Sequence, residues 1–408
     1  MQLERLVLEN FRACERLELE YGRRITLMLG SNGSGKTSIL DGTAVGLGAM
    51  LTHLPSVSGL SFRKSGDIRQ QQNKLAPYTR VSLASRSGVQ WDRLQRRDKS
   101  RATAGALPAA MGVKGLERFL DQTVIDPLNA GAEYVLPIVA YYGVSRAVLE
   151  VPLRRKGFPK SHHRMEALDG ALNANSSFKS AFIWFYNKES EEHRLQKEQR
   201  SFDAYLPELE AVRRAISLVF PDITNPHIEV NPLRLAVTLN GETLDLMQLS
   251  DGYKTLLGLV IDLSIRMGLA NAHLEDPLSA EAVVMIDEVD LHLHPSWQRR
   301  VIADLLRTFS NTQFIVTTHS PFIVEALNNH LQRSKIGTEP TGDPEIDSLI
   351  PLAIEDVRAY VMENSQKLSI VDQESGLLDD SLLAHFNEIN VVYDRMRDIE
   401  WSARYDRR

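Results

Sequence analysis

An α/β fold with a mixed sheet is predicted by three features of the sequence. Short segments of alternating apolar residues open the chain, "LERLVLENF", "ERLELEY" and "RITLML". The third runs directly into the glycine-rich "GSNGSGKT", Gly30 to Thr37, and a helix-forming stretch. Apolar strand patterns ending in polar residues return at "AVVMIDE" and "FIVTTHS", with a helical pattern between them. Strands alternating with helices in this way pack as an α/β layer structure.

Between these ends the chain is less regular. A basic region and an Ala/Gly-rich loop, "RATAGALPAAMG", precede the apolar strand "YVLPIVAYYG". Residues from Phe182 to Phe220 read as charged helix, too short to build a long coiled-coil arm. Strand patterns resume at "HIEVNPLRLAVTLNG", followed by an apolar helix entered through "QLSDGY". A helix is expected from Pro295 to Phe309, and a Gly/Pro/acid loop, "KIGTEPTGDPEID", sets off a mainly helical end. The expected layout is an N-terminal lobe over 1–50, an insertion over 51–225 with one core strand near 134–142, a second lobe over 226–330, and a helical tail over 331–408. No internal repeat is visible.

Composition bounds the function. With 408 residues, 43% hydrophobic and 25% charged, the chain can bury a sizeable core. The start "MQLERLVLEN" has no basic segment leading an apolar block, so no secretory leader is expected. Asp262 and Arg266 interrupt the most apolar helix, which would be costly in a bilayer. A single cysteine, Cys14, excludes an intrachain disulfide and a multi-cysteine zinc site, and fits a cytoplasmic setting. Net charge is −6, yet Ser61 to Ala102 carries eleven Lys or Arg against three acids, a local balance of +8. A second basic knot covers Arg154 to Arg164. Such runs are ordinarily solvated faces, with nucleic acid as the alternative.

The chemistry concentrates at "GSNGSGKT", which fits G-x-x-x-x-G-K-[ST] between a strand and a helix. Glycines there let successive backbone N–H groups surround phosphates. Gly33, Ser34, Gly35, Lys36 and Thr37 supply those amides, with Asn32 and Ser38 flanking them. The Lys36 ammonium suits the β- and γ-phosphates of ATP, and the Thr37 hydroxyl suits Mg²⁺. In "VVMIDE", Asp287 is the expected metal acid and Glu288 the expected general base. His319, ending the next strand, is either a capped residue or a γ-phosphate contact. His292 and His294 lack further ligands and are expected to be structural, with Pro295 in the first helical turn. Ser250, before the apolar helix, either caps it or aims its N-terminus at a phosphate.

Taken in order, the P-loop, "LSDGY", "VVMIDEVD" and "TTHS" resemble the ATP-binding-cassette ATPases of the RecF/SMC-like branch. That resemblance implies an ABC-type ATPase head with a mixed β-sheet, an α-rich insertion between Walker A and signature motif, and a short helical C-terminal tail. It implies that Ser250 and Gly252 face the nucleotide of a second protomer in an ATP-sandwiched homodimer or higher oligomer. It makes Asp290 the D-loop acid, and makes Arg12 in "NFR" a nucleotide contact. The family pattern is LSGGQ, from which Asp251 and Tyr253 depart. The glutamine that the family places after the strand "LPIVAYYG" has no counterpart among Tyr141, Tyr142 and Gly143.

The fuller run through "HLHPSWQRRVIADLLRTFSNTQFIVTTHSPFIVEAL" is similar to the ATPases of Septu and retron antiphage systems and of OLD nucleases, over residues 1–50 and 225–330. OLD proteins continue into a Toprim nuclease, but 89 residues follow His319 and "LLDDS" is no strand-borne D-x-D, so nuclease activity in cis is not expected. The resemblance implies control of a separate effector, such as an HNH-type nuclease, with no membrane involved. Its rivals are a RecF-type DNA-repair or chromosome-maintenance ATPase, a transporter subunit, and a scaffold that binds ATP with little turnover.

Overall fold

The computed structural model describes residues 1–63, 66–147, 163–174, 178–337, 339–363, 365–372, 374–379 and 395–397. Strands β1 (Leu3–Phe11) and β2 (Cys14–Glu20) form an antiparallel hairpin in which Phe11 faces Cys14. Leu3, Leu6, Leu8 and Phe11 turn inward, as the alternation of the sequence requires. β3 (Ile25–Leu29) is buried throughout and leads through the glycine loop into α1 (Lys36–His53).

The next segment adds an antiparallel hairpin to the α-rich insertion, which the sequence reading did not include. After two short strands, β4 (Gln70–Gln71) and β5 (Lys74–Leu75), come β6 (Tyr78–Ser85) and β7 (Gln90–Arg96), which complete a four-stranded antiparallel sheet in the order β2-β1-β6-β7. The hairpin belongs there because Val81, Leu83 and Trp91 are buried against α1. Trp91 donates its indole N–H to the Gly46 carbonyl at 3.0 Å, and a Cβ at Gly46 would come within 2.5 Å of the Leu83 side chain. Most of the arginines that made this segment basic bond within the fold. Arg80 pairs with Asp92 at 2.5 Å, Arg69 with Glu15 at 3.1 Å, and Arg93 donates to the carbonyls of Val45 and Leu60.

Helices α2 (Arg101–Gly105), α3 (Lys114–Leu120) and α4 (Asp126–Asn129) follow, the last two joined by a π-helical turn. Strand β8 (Ile138–Tyr142) is the core strand expected near 134–142. The basic knot at Arg154 lies outside the described residues, apart from His163 and Arg164. Helices α5 (Lys179–Gln199) and α6 (Pro207–Val219) precede a three-stranded antiparallel sheet of β9 (Ile223–Val230), β10 (Leu233–Leu239) and β11 (Glu242–Asp245). Helix α7 (Asp251–Ala270) then returns to the core. Its two charged interruptions pair: Arg266 donates to Asp262 at 2.7 Å, and the Tyr142 hydroxyl donates to the same carboxylate at 2.8 Å.

The remaining elements are β12 (Ala282–Ile286), α8 (Pro295–Gln298), α9 (Val301–Thr308), β13 (Thr312–Thr318), α10 (Pro321–Ile336), α11 (Pro344–Asp347), β14 (Val357–Glu363) and β15 (Gln366–Ser369). They build a six-stranded mixed sheet in the order β15-β14-β3-β13-β12-β8, parallel except for β15. β3, β8, β12 and β13 are buried at every position, which suits parallel strands covered on both faces. The region expected as a helical tail also supplies a strand to the central sheet: Val357 to Val361 pair with β3, directly beside the glycine loop. Burial of Val357, Ala359 and Tyr360 supplies the reason, since this strand fills a place in the central sheet. Among the described residues, no helix is long and apolar enough to cross a membrane.

Candidate active site

The site lies where the parallel strands end, the place at which open α/β sheets hold ligands. After β3 the chain turns through Gly30, Gly33 and Gly35 at φ +144°, +81° and +105°, values that side chains with a Cβ rarely adopt. A Cβ at Gly30 would also come within 2.4 Å of the Met362 carbonyl on β14. The turn joining β14 to β15 supports the loop from outside, where the Ser365 N–H donates to the Ser34 carbonyl at 3.1 Å. The Ser34 hydroxyl is buried and has no hydrogen-bond partner. With the open amides at the start of α1, that orphaned group fits an incoming phosphate oxygen. Lys36 folds back to donate to the carbonyls of Gly30 and Ser31, at 2.5 and 3.0 Å. Burial lowers the pKa of its ammonium, with Asp287, Glu288 and Asp290 opposing the shift.

Across from this loop, β12 delivers two acids. Thr37 donates its hydroxyl to Asp287 at 2.9 Å, and Thr317 on β13 donates to the other oxygen of the same carboxylate at 2.6 Å. A hydroxyl beside a carboxylate is a hard-oxygen donor set of the kind Mg²⁺ takes, so these residues fit the ion. Glu288 stands in the left-handed region at φ +48°, an unusual conformation for a glutamate. Its N–H donates to the Thr317 hydroxyl at 2.7 Å, and its carboxylate lies 3.9 Å from His319 Nε2. Asp290 accepts from the Thr318 hydroxyl at 2.5 Å and from the His319 N–H at 3.4 Å. The expected acids, the loop and His319 therefore meet at one end of the sheet.

Several neighbours gave no signal in the sequence. Arg146, in a 3₁₀ turn after β8, donates to the carbonyls of Gly143, Asp287 and Glu288 at 3.0, 2.5 and 2.5 Å. Burial lowers its pKa to about 10, against the attraction of Asp287, Asp290 and Glu288. Tyr141, where the family glutamine is missing, has its phenol pKa raised by burial and then by the carboxylates of Asp41 and Asp287. Arg12 is held by Asp41 at 2.5 Å and by Asp67 at 3.1 Å. Burial, which lowers its pKa, is outweighed by those two carboxylates. The "TTHS" stretch already contained Thr317, and Tyr141 was marked only by the missing glutamine; nothing local marked Arg146 or Asp41.

The signature stretch starts α7. Ser250 occupies the N-cap position, extended and exposed, but its side chain makes no capping hydrogen bond. Among the described residues no hydrogen bond joins Ser250 or Gly252 to the glycine loop of the same chain. Gly252 is packed so closely that a Cβ would meet the His292 carbonyl at 2.6 Å. Tyr253, in the place of the family's glutamine, turns inward: its hydroxyl donates to Asp222 at 2.5 Å, and its ring packs on Phe220 and Trp297. Asp251 pairs with Lys254 at 2.7 Å. His294 caps α8, and Pro295 stands in its first turn. No group of three or more His, Cys, Asp or Glu able to hold a metal occurs among the described residues.

Several known proteins are similar to this chain. The Retron Ec83 probable ATPase of Escherichia coli is 27% identical, over 79% of this chain and 69% of its own length. The Retron Vc95 probable ATPase of Vibrio cholerae serotype O1 biovar El Tor is 26% identical, over 75% of this chain and 68% of its own. The Septu protein PtuA of Bacillus mycoides is 42% identical over 20% of this chain and 11% of its own length. Among solved structures, an SMC head bound to the C-winged helix domain of ScpA is 14% identical with a TM-score of 0.46, covering 92% of this chain and 99% of that one. The recombination mediator protein RecF is 12% identical with a TM-score of 0.40, covering 90% and 98%. One family model, described as an AAA domain, matches residues 5–216. A second AAA-domain model, whose description names AbiEii toxin and a type IV TA system, matches residues 129–325. With more than half of its length matched by the first model, the chain belongs to the AAA-domain family, as an ABC-like P-loop ATPase.

Proposed function

We propose that the chain hydrolyses ATP at the site built by the glycine loop, Asp287 and Glu288, and that closure of two heads around ATP controls a separate effector in antiphage defence. The observation that carries the reading is the Thr37–Asp287 hydrogen bond at 2.9 Å, with Glu288 next in sequence. Residues Asn32 to Ser38 hold the phosphates of ATP, and Thr37 and Asp287 hold Mg²⁺. The ion supplies charge neutralisation of the phosphates. Glu288 accepts the proton of the attacking water, and His319 contacts the γ-phosphate. Ser250, Gly252 and Asp290 serve the nucleotide of the other protomer, which agrees with an exposed Ser250 whose side chain does not cap α7. Arg12 becomes a nucleotide contact on releasing Asp41.

The similarity to retron ATPases and Septu PtuA supports a role in a system of that kind; a nuclease is the effector proposed here. A DNA clamp is the weaker reading, because Arg69, Arg80 and Arg93 are engaged inside the fold. The reading is tested by sedimentation of the Glu288→Gln protein with and without ATP. A dimer that appears only with ATP supports it, and a monomer at saturating ATP contradicts it. Salt titration of DNA binding by the same protein separates the rivals. A DNA clamp predicts a slope of about −0.9 per phosphate neutralised in log affinity against log salt.

A further inference from the structure

The turn that carries Glu288 is held from two sides. On one side β13 receives it: the Glu288 N–H donates to the Thr317 hydroxyl at 2.7 Å, and the Val289 N–H to the Thr317 carbonyl at 2.9 Å. On the other side both carbonyls of the acid pair accept from one guanidinium. Arg146 Nη1 donates to the Asp287 carbonyl and Nη2 to the Glu288 carbonyl, each at 2.5 Å, while Nη1 also reaches the Gly143 carbonyl. A guanidinium is the one side chain that spans two adjacent carbonyls with donors fixed in a plane. The Asp287 N–H is meanwhile tied to the Tyr142 carbonyl at 2.8 Å. The segment from Tyr142 to Arg146 thus grips the acid pair by its backbone alone and leaves both carboxylates free for the site.

That grip has a purpose that packing alone does not require. Glu288 sits at φ +48°, a strained conformation that persists only where the surroundings over-determine it. If the turn relaxed to ordinary backbone angles, the Glu288 carboxylate would swing away from its place beside His319. Arg146 is buried, and the hydrogen bonds it makes among the described residues all go to main-chain carbonyls. No ion pair gives it another task there.

We propose that Arg146 is a positioning residue for ATP hydrolysis, which holds the Asp287–Glu288 turn in the left-handed conformation that aims Glu288 at the attacking water. The inference rests on the reading of Glu288 as general base. Arg146 touches no substrate itself. It acts on the turnover step rather than on nucleotide affinity, because the phosphate contacts lie on the glycine loop.

The test compares Arg146→Met and Arg146→Lys with the parental protein and with each change combined with Glu288→Gln, reading equilibrium ATP affinity and single-turnover hydrolysis. A misplacement of about 1 Å can cost about 10²-fold in rate, so Arg146→Met should lose about that much turnover with affinity unchanged. In the Glu288→Gln background the same change should cost nothing further, since the group it positions is gone. Arg146→Lys, which can reach one carbonyl but not span two, should fall between the parental and Met proteins. Where Arg146→Met does not fold, Arg146→Lys decides: parental turnover overturns the proposal, and reduced turnover with unchanged affinity supports it. Equal rate losses in both backgrounds, or an affinity loss as large as the rate loss, also overturn it. Should Glu288→Gln itself turn over at the parental rate, the assignment of the base fails instead, which is a separate result.

Discussion

Thr37 and Asp287, 250 residues apart in sequence, meet through a hydrogen bond of 2.9 Å from hydroxyl to carboxylate. The contact closes the site because the glycine loop leaving β3 carries Thr37 into the first turn of α1, while Asp287 directly follows β12. Strand β13 lies between those two strands and places Thr317 on the same carboxylate. Asp287→Asn should therefore remove the magnesium dependence of nucleotide binding. Lys36→Ala should lower affinity about 10- to 100-fold, the equivalent of a charge-assisted hydrogen bond of about 1.5–3 kcal/mol. Titration of a fluorescent ATP analogue with and without Mg²⁺ checks both, and parental behaviour of Asp287→Asn would remove this aspartate from the metal site.

Ser250 gives the second prediction. Its hydroxyl is exposed and leaves α7 uncapped, so Ser250→Arg should bind ATP normally at its own glycine loop yet fail to form the ATP-dependent dimer. A mixture of Ser250→Arg and Lys36→Ala should recover one composite site. Normal dimerisation of Ser250→Arg would make this serine an ordinary helix-start residue.

Trp91 tests the hairpin within the insertion. It is fully buried between β7 and α1 and bonded to Gly46. Trp91→Ala should cost about 3–5 kcal/mol, read as a shift of the urea midpoint. A loss under about 1 kcal/mol, the size of a surface substitution, would contradict the packing of β6 and β7 on α1.

His330 on α10 supplies a pH dependence. It is buried, its Nδ1 lies 3.0 Å from the Ile350 carbonyl and 3.1 Å from the Ile350 N–H, and its pKa is lowered first by burial and also by Arg307, with the Ile350 carbonyl and Asp304 opposing. A depressed folded pKa means that the neutral ring is favoured by folding. Its contribution is complete above the unfolded value of about 6.5 and is lost as pH falls through the folded one. Stability should drop between pH 7.5 and pH 5.5, and His330→Gln should flatten that drop. An equal slope in the two proteins would place the acid sensitivity elsewhere.

Legibility in the sequence followed distance along the chain. The glycine loop, the Asp287–Glu288 pair and His319 were visible because their chemistry is local: glycines at fixed spacing, acids closing an apolar strand, a histidine closing the next. Arg146 was not, since its two partners in the acid pair lie more than 140 residues away and are carbonyls, which carry no side-chain signature. The same holds for Asp41, whose role beside Arg12 exists only once α1 packs on the first sheet. Strand β7 was hidden because its outward positions hold the charges that read as a basic loop, while Trp91 alone marks its inner face strongly. Strand β14 was hidden by its lateness, a central strand supplied after an apparent terminal loop. Tyr253 shows a further limit: the sequence displayed its departure from the family pattern, but only packing shows that the ring belongs to the Phe220–Trp297 cluster.

The central claim is that Glu288 activates water at a site where ATP is already held. The most direct measurement is single-turnover hydrolysis by Glu288→Gln at saturating MgATP, with bound nucleotide quantified in the same sample. The account predicts full occupancy with ATP and a rate lowered ~10²–10⁴-fold. Parental hydrolysis by the fully occupied Glu288→Gln protein would contradict it.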